Sequence, residues 1–207
     1  MGAARWLVAG LGNPGADYSG TRHNVGFAAV ERLAADGSTR FSDGGGDAHA
    51  ALIRVAGTPV VLLKPQTFMN RSGAAVAAWL VRLALPAAGL VVVHDDLDLP
   101  LGRLRVVAAG GAGGHRGVRS IQETLGTTGF PRVRVGIGRP DAGQAAADRV
   151  LTDFTPEERP VATAAVARAA EAVRCLILDG LAPAMNRYNV RPEPGSGPLA
   201  MTGPQPE

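Results

Sequence analysis

Short apolar runs alternate with longer stretches in which apolar residues recur at helical spacing, and this alternation sets the expected architecture. Trp6-Leu-Val-Ala9 is a four-residue apolar run that reads as a strand feeding a turn. Val25 to Ala35 carries Val25, Ala28, Ala29 and Leu33 at helical spacing and stops at Asp36-Gly37. Ser38 to Asp47 reads as a loop. Ala48 to Val55 and Val60 to Leu63 flank Gly57-Thr58-Pro59, the signal of a hairpin. Thr67 to Leu85 is apolar on several faces and predicts a long covered helix ending before Pro86. Leu90 to Val93 has the continuous apolar character of a buried strand and runs out at His94-Asp95-Asp96.

Further along, Arg103 to Val107 alternates charged and apolar residues, so Arg103 and Arg105 are expected on one strand face. Gly110 to Gly114 predicts a turn, Val118 to Leu125 a helix and Arg132 to Ile137 another alternating strand. Pro156 to Leu178 predicts a long helix closed by Asp179-Gly180, with a short helix over Leu181 to Tyr188. Strands interleaved with helices, plus one hairpin, imply a single α/β domain over residues 1–190: a twisted mixed sheet flanked by helices on both faces. Residues 191–207 are rich in Pro and Gly and are expected to be a disordered tail.

Composition narrows this picture. With 207 residues, 46% of them hydrophobic, the chain can build one ordinary core. A sequence pI near 9.7 leans toward polyanions, yet the net charge is only +3, so any nucleic-acid affinity must come from where the charge sits. Lys64 is the sole lysine and the other basic side chains are arginines, whose forked guanidinium suits phosphate. Cys175 stands alone in an apolar run, which excludes an internal disulfide and suggests a reducing cytoplasm. No segment reads as a membrane span or a secretory signal.

Gly10-Leu-Gly12-Asn-Pro-Gly15 satisfies the glycine spacing of a dinucleotide fingerprint. That fingerprint requires the turn to open directly into a helix and an acidic residue to close the next strand. Here Pro14 biases Asn13 toward extended backbone, the helical pattern begins near His23, and Asp36 falls at a helix end. A second reading therefore leads. In α/β sheets reactive groups collect at the carboxyl ends of strands, and Asn13, Asn70 and Asp95 follow such ends while His23 stands at the mouth of the first helix. An imidazole held by a carboxylate can take a proton from water, and asparagine amides can orient that water or donate to an oxyanion. No Ser or Cys occupies a nucleophile elbow, which favours direct attack by water. Each of these residues also fits an ordinary capping or turn role. His94, on the opposite-facing strand position, reads as structural. No two potential ligands have metal-site spacing, so no metal is expected. Arg103, Arg105, Arg116, Arg119, Arg132 and Arg134 surround the glycine-rich turn and read either as a comb for phosphates or as a solvated face.

Several spaced blocks resemble the bacterial peptidyl-tRNA hydrolase family: Gly10-Leu-Gly-Asn-Pro-Gly15, Tyr18, Thr21-Arg-His-Asn24 with Gly26, Lys64-Pro65, Thr67-Phe-Met-Asn70-x-Ser72-Gly73, His94-Asp95-Asp-Leu-Asp98, Gly113-Gly-His115-x-Gly117 and Val135-Gly-Ile-Gly-Arg139-Pro140. The resemblance implies a phosphorylase/hydrolase-like fold and a monomeric, cytoplasmic enzyme that needs no cofactor. Such an enzyme cleaves the ester between a peptide and the 3′ ribose of tRNA, recycling tRNA after aborted translation. It implies His23 as the base and Asp95 as its partner. Asn13 and Asn70 would hold the peptide main chain and the water or oxyanion, and Tyr18, Phe68 and Met69 would shape the pocket. His115 would belong to the substrate-binding wall, and Arg105 to the phosphate contacts; Arg103, Arg119 and Arg134, from the arginine comb, are the further candidates for tRNA contact. The family usually carries Asn where this chain has Arg116, so Arg116 is expected to grip a phosphate or to narrow the peptide channel. The alternative it raises is a paralogue that holds tRNA but hydrolyses it weakly.

Overall fold

The computed structural model describes residues 5–140, 143 and 145–190. The expected tail, 191–207, lies outside the described residues. Seven strands form one mixed sheet among the described residues: β1 (Trp6–Gly10), β2 (Ser42–Asp43), β3 (Ala48–Val55), β4 (Thr58–Pro65), β5 (Leu90–Asp96), β6 (Leu104–Val107) and β7 (Arg132–Gly136), in the order β2-β3-β4-β1-β5-β7-β6. The central strands β4, β1, β5 and β7 run parallel, and antiparallel partners complete both ends. Six helices follow: α1 (Val25–Asp36), α2 (Ser72–Arg82), α3 (Arg116–Leu125), α4 (Ala146–Val150), α5 (Arg159–Asp179) and α6 (Leu181–Tyr188).

The period of two along β1 explains the layering. Val8 points into a core shared with Val30 of α1, Ala169 and Val173 of α5 and Ala184 of α6, while Leu7 and Ala9 point into a second core with Val76 and Trp79 of α2 and Ile121 of α3. Helices thus cover both faces, which is why the central strands are apolar without alternation.

Several boundaries differ from the expected ones for identifiable reasons. The hairpin turns at Ala56-Gly57, both at positive φ (44° and 82°), a geometry that matches strand twist, so Pro59 lies inside β4 opposite Arg54. The helix expected from Thr67 starts only at Ser72, because Phe68 is extended and the Met69 amide is held by Asn13 Oδ1 at 2.9 Å. Strand β5 continues through Asp96, drawn along by its pairing with β7, so Asp95 lies within the strand and not beyond it. Arg103 precedes β6 and is not on the strand face with Arg105; its guanidinium donates to the Asn189 carbonyl at 3.2 Å. The short elements β2 and α4 have no strong apolar pattern and were not anticipated. At the outer edge of β6 the Asn189 amide pairs with both backbone groups of Val106, at 2.7 and 3.0 Å.

The glycine-rich turn after β1 serves close packing. A Cβ on Gly10 would strike the Gly26 carbonyl and Val30, and one on Gly12 would lie 2.7 Å from the Phe27 ring. Phe27 therefore fills the space that a pyrophosphate takes in the dinucleotide reading. Asp36 is likewise engaged, with Arg32 at 2.8 Å and Arg174 at 2.7 Å. Gly26→Ala tests this packing, since its Cβ would meet backbone atoms of Leu11 and Val93 that have no rotamer to yield. The expected loss is about 2–3 kcal/mol of unfolding free energy in urea titration.

Candidate active site

The four residues singled out for chemistry arrive from three strand ends and one helix entrance. Asn13 follows β1, His23 sits in a 3-10 turn over Arg22–Asn24 that leads into α1, Met69 and Asn70 follow β4, and Asp95 belongs to β5. They line one cavity of about 890 Å³ together with Tyr18, Phe68, Asp96, Asp98, His115, Arg116, the glycine-rich segment Gly111 to Gly114, and Val150 and Leu151 beside α4.

Asp95 is the hub. His23 Nδ1 and His115 Nε2 each lie 2.8 Å from the same oxygen, Oδ1. Burial alone would raise the carboxyl pKa, but the electrostatic attraction and hydrogen bonds of the His115 and His23 N–H donors outweigh it and hold the group ionised, far below the ordinary carboxylate range. An ionised Oδ1 can only accept, so both imidazoles donate to it. For His23 this leaves Nε2 with its lone pair as the free base. His115 has no free nitrogen: its Nδ1 accepts from the amides of Gly117 (3.1 Å) and Val118 (3.2 Å), capping α3. The cap explains why α3 starts at Arg116, two residues before the apolar pattern does. It also makes His115 part of the carboxylate network, and not only of the pocket wall.

The amide of Asn13 is oriented just as firmly. Its Oδ1 accepts from the Met69 amide, and Asn24 braces its backbone through two bonds, at 2.8 and 3.0 Å, so Asn13 Nδ2 is the end left to donate. Asn24 was present in the Thr-Arg-His-Asn block but its bracing role could not be read from spacing. Asn70 is exposed at the rim, Tyr18 is half-buried, Met69 is buried under Gly117, and Phe68 stands 58% exposed as an apolar wall.

His94, which the sequence reads as structural, is buried beside the site. Its ring lines the cavity edge-on to His115, with centroids 4.7 Å apart, because its Nδ1 turns back to the Asp95 carbonyl at 2.7 Å. Burial, reinforced by the adjacent His115, pushes its pKa well below the ordinary 6.5.

The arginines do not converge on one face. Arg134 lines the cavity but is bonded to Asp96, and Arg103 and Arg105 line a separate recess of about 400 Å³ with Asn189. Arg119 is exposed on α3, away from the lining of either cavity, and Arg132 is buried. Arg116, the first residue of α3, is exposed at the cavity and makes no hydrogen bond or ion pair among the described residues.

His23, Asp95 and His115 bring three potential ligand atoms within 4.8 Å of one another, a cluster that sequence spacing did not foresee. The donor set fits a cation poorly. With Nδ1 of His115 committed as acceptor, its Nε2 must keep a proton, and a metal there would require an imidazolate or loss of the helix cap.

Protonation of the site couples to stability. His94 is neutral in the fold, so below its ordinary pKa of 6.5 the unfolded chain binds one more proton and stability falls with falling pH. Asp95 adds to the loss below its ordinary 3.8, where the unfolded carboxyl protonates first. In chemical denaturation between about pH 6 and pH 5, His94→Gln is expected to remove a slope of about 1.4 kcal/mol per pH unit.

Similarity to known proteins extends across nearly the whole chain. The model of the peptidyl-tRNA hydrolase family matches residues 7–195. A peptidyl-tRNA hydrolase of Chloroflexus aggregans is 50% identical over 185 residues, 89% of this chain and 98% of that protein. One of Frankia casuarinae is 48% identical over 188 residues, 91% and 95% of the two chains. The crystal structure of peptidyl-tRNA hydrolase from Acinetobacter baumannii superposes with a TM-score of 0.84 at 34% identity, covering 90% of this chain and 95% of that one. A 5′-methylthioadenosine nucleosidase of Arabidopsis thaliana, at TM-score 0.52 and 7% identity over 84% of this chain and 97% of its own, shares the fold alone. With its family model spanning nearly all of the sheet and helices that converge on Asp95, the chain belongs to the peptidyl-tRNA hydrolase family.

Proposed function

We infer that this protein hydrolyses the ester between a peptide's carboxyl end and the 3′ ribose of tRNA, using a water molecule activated by His23. The observation that carries the reading is the 2.8 Å bond from His23 Nδ1 to Asp95 Oδ1 at the wall of a cavity into which Asn13 also projects. Asp95 keeps the proton on Nδ1, so Nε2 accepts one from water as the oxygen attacks the acyl carbon. Asn13 Nδ2 is placed to donate to the oxyanion that forms, and Asn70 at the rim to hold the peptide backbone. Collapse of the tetrahedral intermediate breaks the bond to the ribose oxygen, which takes the proton back from the imidazolium. The products are a free peptide acid and tRNA with its 3′ hydroxyl restored, ready for reuse.

Tyr18, Phe68 and Met69 suit the side chains and base that must pack beside the ester, and His115 acts through Asp95. Arg105 with Arg103, beside the second recess, and Arg119 and Arg134 are assigned to phosphate contacts, a term that fixes register. Arg116 makes no bond to His23, Asp95 or Asn13 among the described residues, so the hydrolytic reading is favoured over a protein that only holds tRNA. No helix among the described residues is long and apolar enough to cross a membrane. A cytoplasmic, monomeric enzyme is part of the same proposal, the lone Cys175 fitting a reducing compartment.

The test is turnover of N-acetylated aminoacyl-tRNA by the purified protein, with free aminoacyl-tRNA as the control. His23→Ala is expected to lower kcat by about 100- to 10,000-fold with the fold retained by circular dichroism. Turnover that survives this substitution would refute the assignment of the base. Asp95→Asn is expected to slow kcat by a similar factor while leaving tRNA binding within about twofold.

A further inference from the structure

We propose that Arg132 is a positioning residue that latches the glycine-rich wall of the cavity to the sheet, holding His115 and hence Asp95 in their working geometry. This rests on the hydrolytic reading of the same site. Arg132 stands at the start of β7 and is only 3% exposed. A buried guanidinium is ordinarily matched by a carboxylate, yet Arg132 forms no ion pair among the described residues. Its fork closes instead on two consecutive backbone carbonyls of the wall, Nη2 to Gly110 at 2.8 Å and Nη1 to Gly111 at 3.0 Å.

The wall is shaped for that fork. Gly110 adopts φ 124°, a conformation suited to glycine, and a Cβ there would come within 3.3 Å of Arg132 Nη2. The Gly110 carbonyl also accepts from Gln122 Nε2 of α3, at 2.7 Å. Two elements that do not otherwise carry catalytic groups thus pin one peptide unit. From there the chain is short and continuous. The His115 amide bonds the Ala112 carbonyl at 3.0 Å, and the His115 ring spans from the α3 amides to Asp95. Burial and the nearby Arg134 charge act against the Arg132 cation while the Asp96 charge favours it, and the two carbonyls are the groups its fork bonds. Gly111, Gly113 and Gly114 have nothing within 4 Å of a would-be Cβ, so Ala112 is the one residue of Gly111 to Gly114 that packs against the core.

The latch predicts a reduced population of the binding-competent wall when it is cut, which raises KM and leaves kcat nearly unchanged. Arg132→Ala, Arg132→Lys and Gln122→Ala are to be assayed on N-acetylated aminoacyl-tRNA across a salt series, with amide hydrogen exchange measured on each protein. Gln122 is half-buried at the surface, so its variant folds even where Arg132→Ala does not. The expected result is an approximately tenfold rise in KM for Arg132→Ala, a smaller one for Gln122→Ala, and kcat within about twofold. Exchange at the His115, Gly117 and Val118 amides should rise about tenfold while β1 and β4 stay protected. Arg132→Lys keeps the charge but cannot fork onto two carbonyls, and is expected between wild type and Arg132→Ala.

Three results would overturn the proposal: faster exchange spread evenly over the sheet, a lysine variant equal to wild type, or a salt dependence flattened by about one unit of slope. The last is the signature of a direct phosphate contact. An inactive wild-type protein would refute the hydrolytic reading, while the exchange measurement still decides the latch.

Discussion

Asp95 carries one negative charge, and two imidazoles from opposite sides of the cavity donate to a single oxygen of it. That arrangement depends on burial at the carboxyl end of a central strand, where water cannot compete for the charge. Once the carboxylate is fixed, the tautomers of His23 and His115 follow, and with them which ring nitrogens keep a lone pair. The helix cap and the glycine-rich wall are best understood as devices that keep this one acceptor supplied with the right donors. No single segment builds the site; β1, β4 and β5 and the entrances to α1 and α3 each contribute.

Much of the fold was legible because the apolar periods are clean. The central strands read as continuous apolar runs and α1, α5 and α6 announced themselves by spacing and by Gly or Asp at their ends. Boundaries failed where a tertiary bond overrode the local pattern. Asn13 reaches across 56 positions to Met69 and delays α2, and His115 caps α3 two residues early. Neither bond has a local sequence signal. The same holds for Arg132: on an alternating strand it resembles the solvated Arg105, and only the neighbouring loop shows that its guanidinium is inside.

The chemistry was legible in a different way. His23 and Asp95, 72 positions apart, could be paired only by the rule that strand ends converge in an α/β sheet and by the block resemblance. What the blocks did not convey is the division of labour among neighbours. His94 and His115 are adjacent in space and similar in type, yet one is neutral with a nitrogen that has no partner and the other uses both nitrogens. The glycine fingerprint shows the converse. Its spacing is that of a phosphate turn, but Phe27 and Gly26 occupy the volume, so the same letters describe helix-to-strand packing.

The Asn189 side chain has a consequence for how this sheet meets other molecules. An amide is the chemical equivalent of one peptide unit, and by bonding both backbone groups of Val106 it acts as a stub of an eighth strand. The opposite margin ends in only two residues, Ser42–Asp43. The β6 border therefore leaves few open donors and acceptors onto which a foreign polypeptide could be stitched, whereas β2 covers only His49 and Ala50 of β3. Along the β6 margin, backbone pairing by another polypeptide is thereby discouraged.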